Sequence, residues 1–258
     1  MRKPLPWLGT LRSLADGALG AIYPRICAGC EKPLDASGER WLCPECRAGL
    51  HRIERPYCDV CGQPYSGEIS LSSFQCSNCS DLDLAFDFAV APWRAEGLAR
   101  ELIHGFKYEG RHHLRALLGG WLPLAFDDPR LAKFADADWL LTPVPLHPRR
   151  LREREYNQAA ELCRVFHRER PRFRVADVLE RVRYTSRQAS LDREGRLKNL
   201  KDAFRLSQSP RKRDRVRDRE VLLIDDVLTT GTTASECARV LREEGGASKV
   251  VVITVVRG

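Results

Sequence analysis

Two groups of residues in this chain have types and spacing that could do chemistry. Eight of the ten cysteines form four Cys-x-x-Cys pairs: Cys27/Cys30, Cys43/Cys46, Cys58/Cys61 and Cys76/Cys79. Each pair can wrap once around a tetrahedral ion with both thiolates facing it, and two pairs close a four-sulfur zinc site that leaves no position for water. Intervals of 12 residues between the first two pairs and 14 between the last two make two near-duplicate units. Sequential pairing is expected, the first four cysteines on one zinc and the last four on a second, with a cross-braced pairing left open by spacing alone. Disulfides fit four evenly deployed pairs poorly, and a redox Cys-x-x-Cys usually occurs singly beside a helix of a βαβ unit. Gly62, directly after Cys61, suits a tight knuckle. Cys163 and Cys237 fall on apolar helical faces and read as core thiols.

The second group is the segment Val221-Leu222-Leu223-Ile224-Asp225-Asp226-Val227-Leu228-Thr229-Thr230-Gly231-Thr232-Thr233. Its apolar start reads as a buried strand ending in two carboxylates, and the residues from Thr232 to Glu244 read as a helix. Between them, a hydroxyl-rich loop can aim backbone N–H groups and Thr side chains at a phosphate, with the positive end of the helix dipole behind them. Gly231 lets the backbone come close to such a ligand. The segment is neither a Walker A loop nor GxGxxG. A carboxylate pair ahead of the loop suits a sugar phosphate, with Asp225 and Asp226 for ribose hydroxyls and Thr229, Thr230, Gly231, Thr232 and Thr233 for the 5-phosphate. Two adjacent acids at a buried strand end would be an odd choice for packing alone.

These groups call for different elements to position them. A unit of ~60 residues rarely holds a sufficient core without staples such as metal. The cysteine content divides the chain into an N-terminal amphipathic helix (1–25), a double zinc ribbon (26–82) and a larger α/β domain (83–258). In the helix, Leu8, Leu11, Ala15, Ala18, Leu19 and Ile22 share one face over residues 7–22. In the α/β domain, strands are expected at 85–92, 139–144, 175–182, 221–224 and 249–256, and helices at 96–106, 113–126, 157–168 and 232–244. That alternation implies a mostly parallel sheet flanked by helices, with ligands at the carboxyl ends of the strands. A basic loop with Arg149, Arg150, Arg152 and Arg154 follows the second strand. Residues 185–205 are polar and weakly patterned, with a short helix expected around 197–203, and 207–219 read as a solvated loop.

The formal net charge of +8 points to an acidic partner, either phosphate compounds or nucleic acid. No apolar run approaches the ~18 residues of a membrane span, and Arg12 and Asp16 interrupt the N-terminal stretch. The chain is expected to be cytoplasmic, in a reducing compartment where paired cysteines favour metal over disulfides.

The segment from Val221 to Thr233 resembles the phosphoribosyl pyrophosphate motif of type I phosphoribosyltransferases, and its companions resemble the ComF family. The resemblance runs from the cysteine pairs through Leu102-Ile103-His104-Gly105-Phe106-Lys107-Tyr108-Glu109-Gly110 and Pro143-Val144-Pro145-Leu146-His147 to Arg257. It includes Asn157-Gln158-Ala159, Thr185-Ser186-Arg187-Gln188, Arg196, Asn199 and Ala203-Phe204. One position departs from the pattern: Glu155 stands before Tyr156 where glycine is expected, so a loop that needs positive φ there would have to differ.

The resemblance implies a type I phosphoribosyltransferase-like fold behind a small zinc-ribbon domain, and phosphoribosyl pyrophosphate as ligand. It assigns Asp225 and Asp226 to the ribose hydroxyls and to orienting a magnesium–pyrophosphate complex, and residues Thr229 to Thr233 to the 5-phosphate. Pro145 and Arg149 would hold pyrophosphate, with Lys107 as a further contact. Residues 183–199, with Gln188 as the best single candidate, would close over the sugar. Three functions are compatible with that set. The chain could transfer phosphoribosyl to an unidentified acceptor, bind single-stranded DNA as a competence and DNA-uptake factor alongside other competence proteins, or sense the sugar phosphate without consuming it.

Overall fold

The computed structural model describes residues 25–35, 40–65, 67, 74–80, 82–184, 200 and 202–258. The chain forms two compact units, Met1–Leu50 and His51–Gly258. The helix expected at 7–22, the candidate Gln188 and the companions Thr185, Ser186, Arg187, Arg196 and Asn199 lie outside the described residues.

In the first unit, the chain folds around Cys27, Cys30, Cys43 and Cys46. Cys27 N–H donates to Lys32 O at 2.8 Å, and Cys43 starts a short helix, Pro44–Ala48. Proline suits that first helical position, where its missing N–H would have no intrahelical partner.

The second unit is built on a sheet of six parallel strands. These are β1 (Phe88–Val90), β2 (Trp93–Arg94), β3 (Leu140–Pro143), β4 (Arg174–Val175), β7 (Glu220–Leu228) and β8 (Lys249–Arg257). Their order is β1-β8-β7-β3-β4, with β2 continuing the pairing along β8. The central strands read as unbroken apolar runs because parallel strands are covered on both faces. Val221 to Ile224 and Val250 to Ile253 are fully buried. Register sets Leu140 opposite Val221 and Pro143 opposite Ile224, while Asp225 lies opposite Thr254 and Leu228 opposite Arg257. The chain passes outward from β3 to β4 in one direction and from β7 to β8 in the other. The order therefore reverses between β3 and β7, where open α/β sheets leave a ligand crevice.

The principal helices are α1 (Gly97–Tyr108), α2 (Leu114–Trp121), α3 (Pro148–Arg154), α4 (Gln158–Glu169) and α5 (Thr232–Glu243). The helix α4 packs on β3, β7 and α2, and α5 packs on β7 and β8. Ala234, Cys237, Ala238 and Leu241 of α5 share a core with Val221, Leu223, Val250 and Val252.

Several elements differ from expectation. The helix expected over 113–126 ends at Trp121 and tightens into a 3-10 turn, Leu122–Asp127, because Pro123 has no N–H to continue the α pattern. The basic loop after β3 is instead the helix α3, started by Pro148 and by His147 Nδ1, which accepts from Arg149 N–H at 3.2 Å. The strand expected at 175–182 is two strands. After β4 the chain leaves the main sheet, and β5 (Leu179–Arg181) pairs antiparallel with β6 (Phe204–Leu206). With three residues, β6 is too short for its alternation to register in the sequence. Residues 207–219 contain a helical turn, Pro210–Arg213, and are anchored by fully buried Val216.

The second cysteine group belongs to this unit's core. Cys58, Cys61, Cys76 and Cys79 are buried in one cluster with Phe86, Ala89, Leu223 and Val252. By contact the chain divides at Leu50/His51, whereas cysteine content places a boundary at 82/83. The pairs mark shared chemistry, and the contacts mark shared packing. No helix among the described residues is long and apolar enough to cross a membrane.

Candidate functional site

At the order reversal, Val144 N–H donates to Ile224 O at 2.9 Å, so the Pro143–Pro145 turn leaves the sheet beside Asp225 and Asp226. Strand β7 continues to Leu228, and both carboxylates therefore sit on its last turns of pleat rather than beyond its end. Successive strand residues point to opposite faces. Asp226 meets Lys107 from the last turn of α1, with Nζ 2.8 Å from Oδ1 and both side chains largely buried. A buried ammonium or carboxylate is costly unless paired, and here each compensates the other.

Asp225 is partly buried, and its carboxyl is pushed up to about 7. Burial is the main cause, followed by repulsion from Asp226. The Lys107 charge, the Asp226 N–H and the Arg154 guanidinium oppose the rise. That N–H donates to Asp225 Oδ1 at 2.9 Å. Near neutral pH Asp225 therefore exchanges a proton readily, and a cation or a set of hydroxyl donors would draw it to its charged form.

The following loop has Thr230 and Thr232 hydroxyls 3.0 Å apart. Gly231 caps α5 at φ 79°, in the left-handed region, and provides no side-chain acceptor. The first N–H groups of α5 are thus left for an anion or water, reinforced by the helix dipole.

Arg149 does not join this cluster. It is exposed, it donates to Glu153 Oε1 at 3.2 Å, and its guanidinium lies 4.7 Å from the Tyr184 ring centre. Pro145 is buried beside the carboxylates. The basic group nearer the acids is Arg154, which donates to Gln158 Oε1 and to Tyr108 Oη, each at 3.1 Å. Tyr156 reaches back to donate to the Phe106 carbonyl, and Asn157 Nδ2 donates to Val144 O at 3.0 Å. This network ties α3 and α4 to α1 and to the end of β3. Residue 155 starts it: Glu155 is left-handed at φ 65°. The backbone takes a conformation that glycine would adopt freely, and the glutamate carries the strain.

The cysteines fit zinc. Within each group, Cys27/Cys30/Cys43/Cys46 and Cys58/Cys61/Cys76/Cys79, the sulfurs lie within 4.8 Å of one another, so the pairing is sequential. Cys30 and Cys43 sulfurs are 3.7 Å apart, and those of Cys61 and Cys76 are 3.6 Å apart. A tetrahedron with Zn–S bonds of ~2.3 Å has edges of about 3.8 Å. Backbone N–H groups turn toward the sulfurs, from Cys43 to Cys27 Sγ at 3.3 Å and from Cys76 to Cys58 Sγ at 3.4 Å. Gly62 is required twice over at its knuckle, since it has φ 67° and a Cβ there would lie 3.1 Å from Ala89 O.

Residues 18–80 match the double zinc ribbon domain family. Competence protein F of Haemophilus influenzae is 30% identical over 212 residues, which cover 79% of this chain and 91% of that protein. The chain belongs to the ComF family. Competence protein ComFC of Bacillus subtilis is 25% identical over 95% of this chain and the whole of that protein. DNA utilization protein YhgH of Escherichia coli K12 is 29% identical over 87% of this chain and 94% of that protein. Among solved structures, phosphoribosylpyrophosphate synthetase from Mycobacterium smegmatis matches with a TM-score of 0.29 and 18% identity, covering 56% of this chain and 33% of the synthetase. In this ComF protein, the structure brings Asp225, Asp226, Lys107, Pro145 and the Thr229–Thr233 loop to the order reversal. Sequence reasoning missed Gln158 and Tyr108 as the partners that hold Arg154, and the tie from Tyr156 to the end of α1. Arg154 ends α3 and Gln158 begins α4, so their contact depends on the turn at Glu155 that joins the two helices and carries no periodic signal in the sequence.

Proposed function

We propose that this protein binds phosphoribosyl pyrophosphate with magnesium and transfers the phosphoribosyl group to an acceptor, in support of DNA uptake or use. The observation that carries the reading is the conjunction at the sheet reversal: two adjacent carboxylates, a buried lysine and a hydroxyl loop at a helix N-terminus. Asp225 and Asp226 accept from the ribose hydroxyls, while Thr229, Thr230, Gly231, Thr232 and Thr233 receive the 5-phosphate. The oxygen-only carboxylate pair suits magnesium, which keeps most of its water and takes few protein ligands. Bound there with pyrophosphate, the ion would neutralise charge on the leaving group.

Transfer breaks the bond between C1 and pyrophosphate and forms one between C1 and the acceptor. Positive charge builds on the ribose ring between the two events, so fixed carboxylates serve the reaction better than a protein nucleophile. Lys107 holds Asp226 until a ligand arrives, and Arg154 supplies positive charge on the pyrophosphate side. Calorimetric titration with phosphoribosyl pyrophosphate and magnesium tests the reading. Saturable binding by wild type that is lost in Asp225→Asn/Asp226→Asn is expected, and wild-type silence would overturn it. Binding with no turnover under any acceptor would leave a sensor.

A second reading rests on a separate observation. Tyr108 is exposed beneath Arg154, Tyr184 lies against Arg149 and Arg150, and each group pairs a ring for stacking with charge for a nucleic-acid backbone. Single-stranded DNA bound there would dissociate steeply with added salt. Binding insensitive to salt would remove this reading.

A further inference from the structure

The second cysteine centre and the hydroxyl loop are fastened to each other at both ends of the loop. The first fastening is Arg257, the last residue of β8, with only 3% of its surface exposed. Its Nη2 donates to Cys61 Sγ at 3.2 Å and its Nε to Cys61 O at 2.9 Å. From the other side of the same guanidinium, Nη1 donates to Leu228 O at 3.1 Å. Leu228 is the residue immediately before Thr229. The second fastening is the segment that follows Cys79. Ala85 N–H donates to Ser235 Oγ in the first turn of α5 at 2.9 Å, and the Phe86 ring lies 3.5 Å from where a Gly231 Cβ would be. Phe86 is buried in the same cluster as the four cysteines.

The chemistry of the guanidinium suits this position. Four thiolates around one divalent zinc carry a net charge of −2, and a permanently charged arginine in contact with one sulfur halves it. Arginine alone presents rigid donors in several directions while staying ionised when buried. A lysine's three donors radiate from a single nitrogen, so it could serve Cys61 but not span to the Leu228 carbonyl as well.

We infer that Arg257 is a positioning residue that couples the Cys58/Cys61/Cys76/Cys79 zinc centre to the phosphate loop, so that loss of that zinc loosens Thr229–Thr233. The name phosphate loop rests on the function proposed above, but the coupling is measurable without any ligand. Coupling of this kind is reciprocal in binding free energy: whatever stabilises the loop also tightens the hold on the metal.

The test is hydrogen–deuterium exchange on the full-length, zinc-loaded protein, followed while a chelator removes the metal. Exchange in a peptide spanning 228–235 should rise about tenfold as zinc leaves, while the β3 segment 140–143 stays protected. Arg257→Gln should show the faster loop exchange with zinc still bound, and should release one of its two zinc ions faster than wild type. Arg257→Lys should recover part of the loop protection. A Cys30→Ser/Cys46→Ser variant, which retains only the second centre, should keep the full response. Unchanged loop exchange after zinc loss overturns the coupling, and so does a uniform rise across the whole sheet, which would mean general unfolding. The chelation series on wild type needs no variant, so a poorly folding Arg257→Gln leaves the outcome decidable. Failure of the ribose-phosphate reading would show separately, as absence of calorimetric binding to wild type.

Discussion

Asp225 carries the clearest conflict between stability and use. Its carboxyl ordinarily titrates at 3.8 and is raised to about 7 here. Between those values the folded protein holds a proton that the unfolded chain has lost, so the charged carboxylate costs stability that grows as pH rises and is complete above about 7. Asp225→Asn removes the cost. At pH near 8 the variant should be more stable than wild type by on the order of 2 kcal/mol, with the gain shrinking as pH falls through about 7 and gone near pH 4, while sugar-phosphate binding disappears. Urea melts at the two pH values check the sign, and a variant less stable than wild type at the higher pH would show that Asp225 is held by favourable contacts instead. Glu155 is a second local conflict. Its φ of 65° suits glycine, and its contact with His112 is exposed, at 3.7 Å, and worth little. Glu155→Gly should stabilise the protein by roughly 0.5–1 kcal/mol, the relief of left-handed strain less the added freedom of the unfolded chain. An unchanged or lower denaturation midpoint would show that Glu155 makes a compensating contact.

Among elements, the loop between β7 and α5 is the part most legible in the sequence, because strand, carboxylates, hydroxyls, glycine and helix follow one another without interruption. What the sequence could not give was the partner each group meets. Lys107 lies more than a hundred residues before Asp226, and only the packing of α1 beside the sheet reversal makes them an ion pair. The helix α3 was hidden because its seven residues are mostly charged and expose no apolar face, so periodicity had nothing to report. The hairpin of β5 and β6 was hidden because its strands are separated by a polar stretch and each is three residues long. At Gly231 the requirement is conformational rather than steric: a Cβ would meet Phe86 at an ordinary 3.5 Å, but φ is 79°. Gly231→Ala should therefore cost about 1 kcal/mol in stability and re-aim the first N–H groups of α5. Affinity for ribose 5-phosphate should fall roughly tenfold or more by calorimetry. Equal affinity in the two proteins would mean that the loop holds its shape without glycine.

For the molecule as a whole, four Cys-x-x-Cys pairs look equivalent in the sequence, and the structure makes them unequal. Spacing revealed the ligands because metal geometry is local, but it left a cross-braced grouping open, which the sulfur positions close, and it could not reveal what each centre is packed into. Cys30 is exposed and Cys43 and Cys46 are half-buried, in a unit that ends at Leu50. Cys58, Cys61, Cys76 and Cys79 are all buried, and their neighbours are Phe86, Ala89 and the central strands. Removing a ligand from the first centre should therefore unfold a small segment with little effect on the α/β unit, whereas removing one from the second should take core packing with it. Cys30→Ser is expected to leave the main thermal transition within a degree or two of wild type. Cys61→Ser should lower it by ~10 °C or more, since losing a structural metal together with a buried packing residue costs several kcal/mol. Calorimetric scans of the two zinc-loaded variants decide the matter, and equal shifts would mean that both centres support the same cooperative unit.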